Sequence, residues 1–128
     1  MMDCLFCKIA HKQINAKVAF ENERVIAFYD LFPQAPTHIL IIPKQHYTTL
    51  NDVPVAEGAI LGELMTTAAQ LAKELGVAES GYRVVMNCNA DGGQSVYHIH
   101  LHMLAGRKLS WPPGWKRQAK ATPQLSLF

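Results

Sequence analysis

Apolar residues recur at three- and four-residue spacing at Ile60, Leu61, Leu64, Met65, Ala68, Leu71, Ala72 and Leu75. That period predicts a helix from about Pro54 to Leu75. Asn51 or Asp52 is placed to cap its start and Gly76 to end it, while Gly58 and Gly62 weaken its first turns. Earlier, Asp3 to Gln13 reads as a short helix with Leu5, Phe6 and Ile9 on one side. Val18 to Glu21 and Val25 to Asp30 read as two strands joined by a tight turn at Asn22-Glu23. Two prolines make residues 32–36 a loop. His38 to Pro43 is almost continuously apolar, the pattern of a strand covered on both faces, with Pro43 at its end, where a missing N–H does least harm. Tyr82 to Cys88 and Val96 to Leu104 read as two more strands, joined by the turn Asn89-Ala-Asp-Gly-Gly93. Five strands with short connections and one long helix predict an α+β domain built on an antiparallel sheet.

Composition changes this picture little. The chain has 128 residues, 49% hydrophobic and 17% charged, as a single folded domain should. The net charge of +2 argues against a dedicated nucleic-acid binder. It is unevenly spread: from Arg107 onward there are five basic residues and no acid, so the other 106 residues carry seven basic and ten acidic groups. The basic end reads as a solvated extension. No apolar run is long enough for a membrane span, and Met-Met-Asp-Cys is no secretory start. With three cysteines at least one stays unpaired, so a cytoplasmic, reduced setting is expected.

The chemistry sits at His98, His100 and His102. On a strand, alternate side chains share a face, so three imidazoles would form a row about 6.6 Å apart, with Ile99, Leu101 and Met103 turned to the core. Such a row can ligate zinc, or it can place one imidazole as a nucleophile while its neighbours hold phosphate oxygens. Asp91-Gly-Gly-Gln-Ser95 lies just before the row, where glycines let backbone amides approach an anion, and this favours the second chemistry.

The run Asp91-Gly-Gly-Gln-Ser-Val-Tyr-His-Ile-His-Leu-His-Met-Leu104 resembles the signature of the histidine-triad family. Pro33 to Pro43 resembles its upstream strand, and Trp111-Pro-Pro-Gly114 resembles the C-terminal segment of its nucleoside phosphoramidase branch, the Hint proteins. The likeness runs from about Asp3 to Trp115, which implies a histidine-triad domain over residues 1–115 and a tail over 116–128. It implies hydrolysis of a purine nucleoside phosphoramidate of the AMP-lysine or AMP-amide kind, through a nucleotidyl group carried on His100. His102, His38 and Ser95 are the implied helpers, with Asn87, Gly93, Gln94 and Ser95 around the phosphate. Ile14, Phe28, Asp30 and Leu31 are the implied nucleoside pocket, Asp30 accepting from the ribose hydroxyls; Tyr29 stands where some relatives carry histidine. No catalytic cofactor is implied. A homodimer is, with a sheet continuous across subunits and Trp111 reaching the partner's site.

Cys4-Leu-Phe-Cys7 can by itself clasp a metal, form a redox pair, or be incidental. Some bacterial members of the resembled family combine two such cysteines with a histidine after the central strand and the first triad histidine, in a structural zinc site. Carried over, the ligands are Cys4, Cys7, His46 and His98. Cys88 is left as a small buried residue. Other functions open to the sequence are a nucleotide-binding adaptor with residual hydrolysis, a zinc-dependent hydrolase using the histidine row, and a dinucleoside polyphosphate hydrolase.

Overall fold

Five short segments rich in apolar and β-branched residues produce one antiparallel sheet. The computed structural model describes residues 3–114. Its strands are β1 (Val18–Glu21), β2 (Val25–Tyr29), β3 (Thr37–Pro43), β4 (Tyr82–Val85) and β5 (Leu101–Ala105), in the spatial order β1-β2-β3-β5-β4. The helices are α1 (Leu5–Ala10), α2 (Ala59–Glu74) and the single turn α3 (Asn89–Gly92). The α+β class, the antiparallel pairing and the long helix agree with the sequence pattern. None of the described helices is long and apolar enough to cross a membrane. The tail expected over residues 116–128 lies outside the described residues.

Each sheet face has its own cover. Val25, Ala27, Ile39, Ile41, Leu101 and Met103 pack against Leu64, Ala68, Leu71 and Ala72 of α2. On the opposite face Ile26, Phe28, Leu40 and Ile42 pack against Phe6, Ile9 and Ala10 of α1. The central strand β3 is therefore buried on both sides, which its unbroken apolar run foretold. Helix α1 covers only part of its face. Beyond it, the register sets His38, His102, Leu104, Arg83 and Val85 beside one another on that face.

Several boundaries differ from the sequence pattern, each for a local reason. Helix α2 begins at Ala59, not Pro54, because Pro54 is extended (ψ 146) and residues 50–52 and 55–57 form separate 3-10 turns. Asp52 accordingly closes a capping box with Thr49 on the first of these turns, and Gly58 starts α2 without a side-chain cap. Gly76, at φ +76, ends the helix as expected. The hairpin at Asn22 needs no glycine: its Oδ1 accepts from the Arg24 and Val25 amides at 2.8 Å each. The Asn89 to Gly93 turn forms α3, ended by Gly93 at φ +84. Strand β4 stops at Val85, three residues short of Cys88, which is half-buried.

The largest departure is at β5, which starts at Leu101, not Val96. Ile41 opposite Leu101 is the last β3 pair in this ladder, and Pro43 has no N–H to offer. The Pro43 carbonyl instead accepts from His98 Nε2 at 2.8 Å, while the Ile99 amide donates to Tyr47 O at 2.8 Å. His98 and His100 therefore precede the strand, and only His102 lies within it. The even row of three rings becomes a bent segment.

Candidate active site and metal cluster

That bend separates the histidines into two groups with different partners. In the first, every proton position follows from a chain of hydrogen bonds. The Gln34 amide donates to His38 Nδ1 at 3.0 Å, so neutral His38 carries its proton on Nε2. His38 Nε2 lies 2.9 Å from His102 Nδ1 and 3.4 Å from Asp30 Oδ2. Accepting at Nδ1 leaves His102 with an N–H at Nε2. His100 is set the opposite way. Its Nδ1 faces the His98 carbonyl at 2.8 Å, and a carbonyl only accepts, so the His100 proton is on Nδ1 and the lone pair on Nε2. The His100 and His102 rings are 5.0 Å apart, and the Nε2 of each is buried without a hydrogen-bond partner. A free donor and a free lone pair, side by side, are what an attacked phosphoryl group requires.

Burial keeps these rings neutral. Desolvation, reinforced by His100 and His38, drives His102 down to about 3. Desolvation also lowers His100 and His38, Asp30 opposing it in both. A histidine that stays neutral when folded and titrates near 6.5 when unfolded leaves the unfolded chain with more bound protons below that pH. Stability is then full above pH 6.5 and falls as pH drops toward 3, by up to about 1.4 kcal/mol per pH unit for each such histidine. Urea midpoints, taken with chelator throughout, should fall steadily from pH 7 to 4.5; a flat profile would show that these rings protonate without cost.

His38 and His102 line a cleft of about 540 Å³ together with Asn87, Gly92, Gly93 and Arg83. The Asn87 side chain is half-buried and makes no hydrogen bond with the described residues, so its amide is free for a ligand. Other expected contacts are placed differently. His100 is enclosed, 2% exposed, with the Phe6 ring edge-on at 5.1 Å. The Gly93 amide already donates to Ala90 O at 3.0 Å. Gln94 braces the loop: its Oε1 accepts from the Asn89 amide at 2.8 Å, and its Nε2 donates to Thr48 O (2.9 Å) and Val96 O (3.1 Å). Ser95 is exposed and lines a second groove with Cys4 and His46.

The early strands divide similarly. Phe28 is buried in the core, edge-on to Phe6 at 5.5 Å, while Ile14 and Leu31 are exposed. Tyr29 packs on the α2 face. The Asp30 carboxylate is enclosed: Oδ1 accepts from the Phe32 amide at 2.8 Å, and Oδ2 has no hydrogen-bond partner beyond its 3.4 Å approach to His38. Trp111 is exposed, its ring 6.0 Å from the Arg83 guanidinium. Arg83 was not among the sequence candidates. The available signal was a cation at a strand position that shares a face with Val85.

The second group holds His98, His46, Cys4 and Cys7, whose donor atoms all lie within 4.8 Å of one another. His98 Nε2 donates to Pro43 O, so its Nδ1 presents a lone pair, 3.3 Å from Cys4 Sγ, 3.5 Å from Cys7 Sγ and 3.2 Å from His46 Nδ1. Cys7 Sγ is 3.4 Å from His46 Nδ1. Tetrahedral zinc with bonds of about 2.0 to 2.3 Å to N and S has edges of roughly 3.3 to 3.8 Å. The four donors therefore fit that ion, and the Pro43 carbonyl supplies the outer contact that orients a ligating imidazole. Burial and Cys4 push the Cys7 thiol up to about 11, and burial drives His98 to about 4.

The HIT domain pattern matches residues 11–109. The chain belongs to the HIT family. This HIT chain is 48% identical over 107 residues to the purine nucleoside phosphoramidase of Escherichia coli, a match covering 84% of the chain and 90% of that protein. It is 54% identical to a HIT family hydrolase from Legionella pneumophila, with a TM-score of 0.86 over 88% of the chain and 100% of that structure. A histidine triad protein from Clostridium difficile is 46% identical with a TM-score of 0.85, covering 91% of the chain and 98% of that structure. All four buried histidines of the HIT domain fall inside the matched residues, whereas Cys4 and Cys7 precede them.

Proposed function

We propose that this HIT protein hydrolyses purine nucleoside phosphoramidates through a nucleotidyl group on His100. The observation that carries the reading is the pair of opposed tautomers: a lone pair on His100 Nε2 beside a free N–H on His102. In the first step His100 Nε2 bonds to the α-phosphorus as the P–N bond breaks, and the amine leaves with a proton taken from solvent water. In the second, water attacks phosphorus and gives its proton back to solvent, the N–P bond breaks, and nucleoside monophosphate departs, leaving His100 neutral. His102 Nε2 and the Asn87 amide donate to the phosphoryl oxygens, and His38, held by Gln34 N, keeps His102 in the donating tautomer.

Rapid quench with substrate followed by intact-mass measurement should find one nucleotidyl adduct on the wild type and none on His100→Ala. The enclosure of His100 favours a second reading, a nucleotide-binding adaptor with residual hydrolysis. Nucleotide binding with no adduct and no turnover would select it.

Exposed Ile14 and Leu31 supply apolar surface for a purine on the β2 side, and the orphan Oδ2 of Asp30 is the acceptor a ribose hydroxyl would satisfy once the 31–36 loop yields. Asp30→Asn should raise KM about tenfold and lower kcat less, since it weakens one hydrogen bond to a charged acceptor. A loss confined to kcat would assign Asp30 to holding His38 alone.

The Cys4, Cys7, His46 and His98 cluster would hold a structural zinc, closed by four protein ligands. We assign the protein to the cytoplasm, where thiols stay reduced. Among the described residues the outer edge of β4 is unpaired, and Met65 of α2, Leu75 just after it and Tyr82 on β4 are exposed. Pairing of two such edges would give a dimer with Trp111 near the partner's cleft, and sedimentation at the monomer mass would rule it out.

A further inference from the structure

The register of the sheet extends the catalytic face beyond the triad. His38 on β3 opposes Leu104 on β5, which opposes Arg83 on β4, while His102 opposes Val85. Arg83 therefore stands diagonally from His102, their Cα atoms about 8 Å apart given a strand spacing near 4.8 Å and a two-residue rise. The nucleoside side lies across β3, on β2. A substrate with its phosphorus at His100 and His102 consequently points its leaving group at β4.

What it meets there is positive charge. Arg83, Arg107 and Lys108 line a groove of about 230 Å³ with Ser80 and Tyr82, and no acidic side chain lines it. Arg83 and Arg107 also line the catalytic cleft, so the two spaces share walls. Arg107 is committed to carbonyls, donating to Gln34 O at 3.2 and 2.9 Å and to Lys108 O at 3.2 Å, with no carboxylate partner. Arg83 is half-buried, has the Trp111 ring 6.0 Å from its guanidinium, and its side chain makes no hydrogen bond or ion pair with the described residues. Asp91, on the α3 side of the cleft, pairs with neither arginine. A guanidinium has five N–H donors in a fork that matches a carboxylate. Held in a half-buried groove without an acceptor, that fork is a recognition element awaiting one.

We propose that this groove is a subsite for a carboxylate carried on the leaving amine, so that the substrate class is nucleoside phosphoramidates of amino acids with a free carboxyl group. The inference rests on the phosphoramidase reading of the adjoining site. As the P–N bond breaks and His100 takes the phosphorus, the amine leaves with a proton taken from solvent water and its carboxylate remains on Arg83. The same three cations repel a purely cationic leaving group.

The test compares adenosine 5′-phosphoramidates of glycine and of glycinamide, which differ only in the charge at the subsite. The wild type should favour the glycine compound about tenfold in kcat/KM, the scale of one good Arg–carboxylate fork. Arg83→Gln should bring that ratio to near one, Arg83→Lys should keep part of it, and Lys108→Gln, at an exposed position, should lower it too. Equal hydrolysis of both compounds by the wild type, or an unchanged ratio in Arg83→Gln, would overturn the subsite and leave the phosphoramidase reading intact. Failure of the wild type to hydrolyse either compound would overturn that reading and the subsite with it. An aminoethylphosphonate analogue preferred to the glycine compound would reassign the groove to a second phosphate and refute the carboxylate.

Discussion

His100→Ala should lower kcat/KM for an adenosine phosphoramidate by about four orders of magnitude or more, because it removes the atom that bonds to phosphorus. The remaining donors, His102 Nε2–H and the Asn87 amide, still bind the phosphoryl group. The loss should therefore lie in kcat, with KM or the affinity for nucleoside monophosphate moving far less. His102→Ala should cost less, about a hundredfold or so, the scale of one removed oxyanion donor. The order of the two effects matters more than their sizes. Only His100 presents a lone pair, since its Nδ1–H is held by the His98 carbonyl, while the chain from Gln34 through His38 makes His102 a donor. Rates measured for both variants under single-turnover conditions check this. A larger loss for His102→Ala would reverse the assigned tautomers, and a residual adduct on His100→Ala would move the nucleophile elsewhere.

Removing the metal should produce the second large effect, on stability instead of chemistry. Protein grown with zinc should carry one zinc per chain by elemental analysis, and Cys7→Ala should carry none. A site filled at a thousand times its dissociation constant contributes about 4 kcal/mol. In a domain of this size that corresponds to a fall of about 15 °C in Tm on chelation. The loss should be felt at the α1 end, where Cys4 caps the helix and Cys7 lies within it, and at the 96–100 segment that leads into β5. Turnover should survive chelation below the new Tm, since the His98 bond to Pro43 O still holds that segment beside His100. Metal-free wild type with an unchanged melting curve would refute the zinc site. Loss of turnover ahead of unfolding would place the metal in the reaction.

Much of the fold was legible because its signals are local. Short apolar runs in β2 and β3, period 3.6 in α2 and a glycine at the end of α2 each report on a few neighbouring residues. The failures share a cause. Nothing near Val96 says that strand pairing ends at Leu101; that depends on Pro43, more than fifty residues away, having no N–H and giving its carbonyl to His98. Gln94 reads as a ligand contact from its place in the signature, yet its partners at Thr48 and Val96 make it a brace. Arg83 was passed over because its meaning comes from register across three strands.

The amino-acid sequence alone determined the class of fold, the family, and which residue types could do chemistry: spaced histidines, a cysteine pair, a glycine-rich turn. Only the tertiary structure decided their geometry and proton positions. The likeness to the family had already grouped His98 with the cysteines; the fold set the distances within each group and chose which nitrogen of each ring keeps its proton. An imidazole's tautomer is set by whatever faces its other nitrogen, and those partners, a carbonyl here and an amide or ring there, meet it only when distant strands pair.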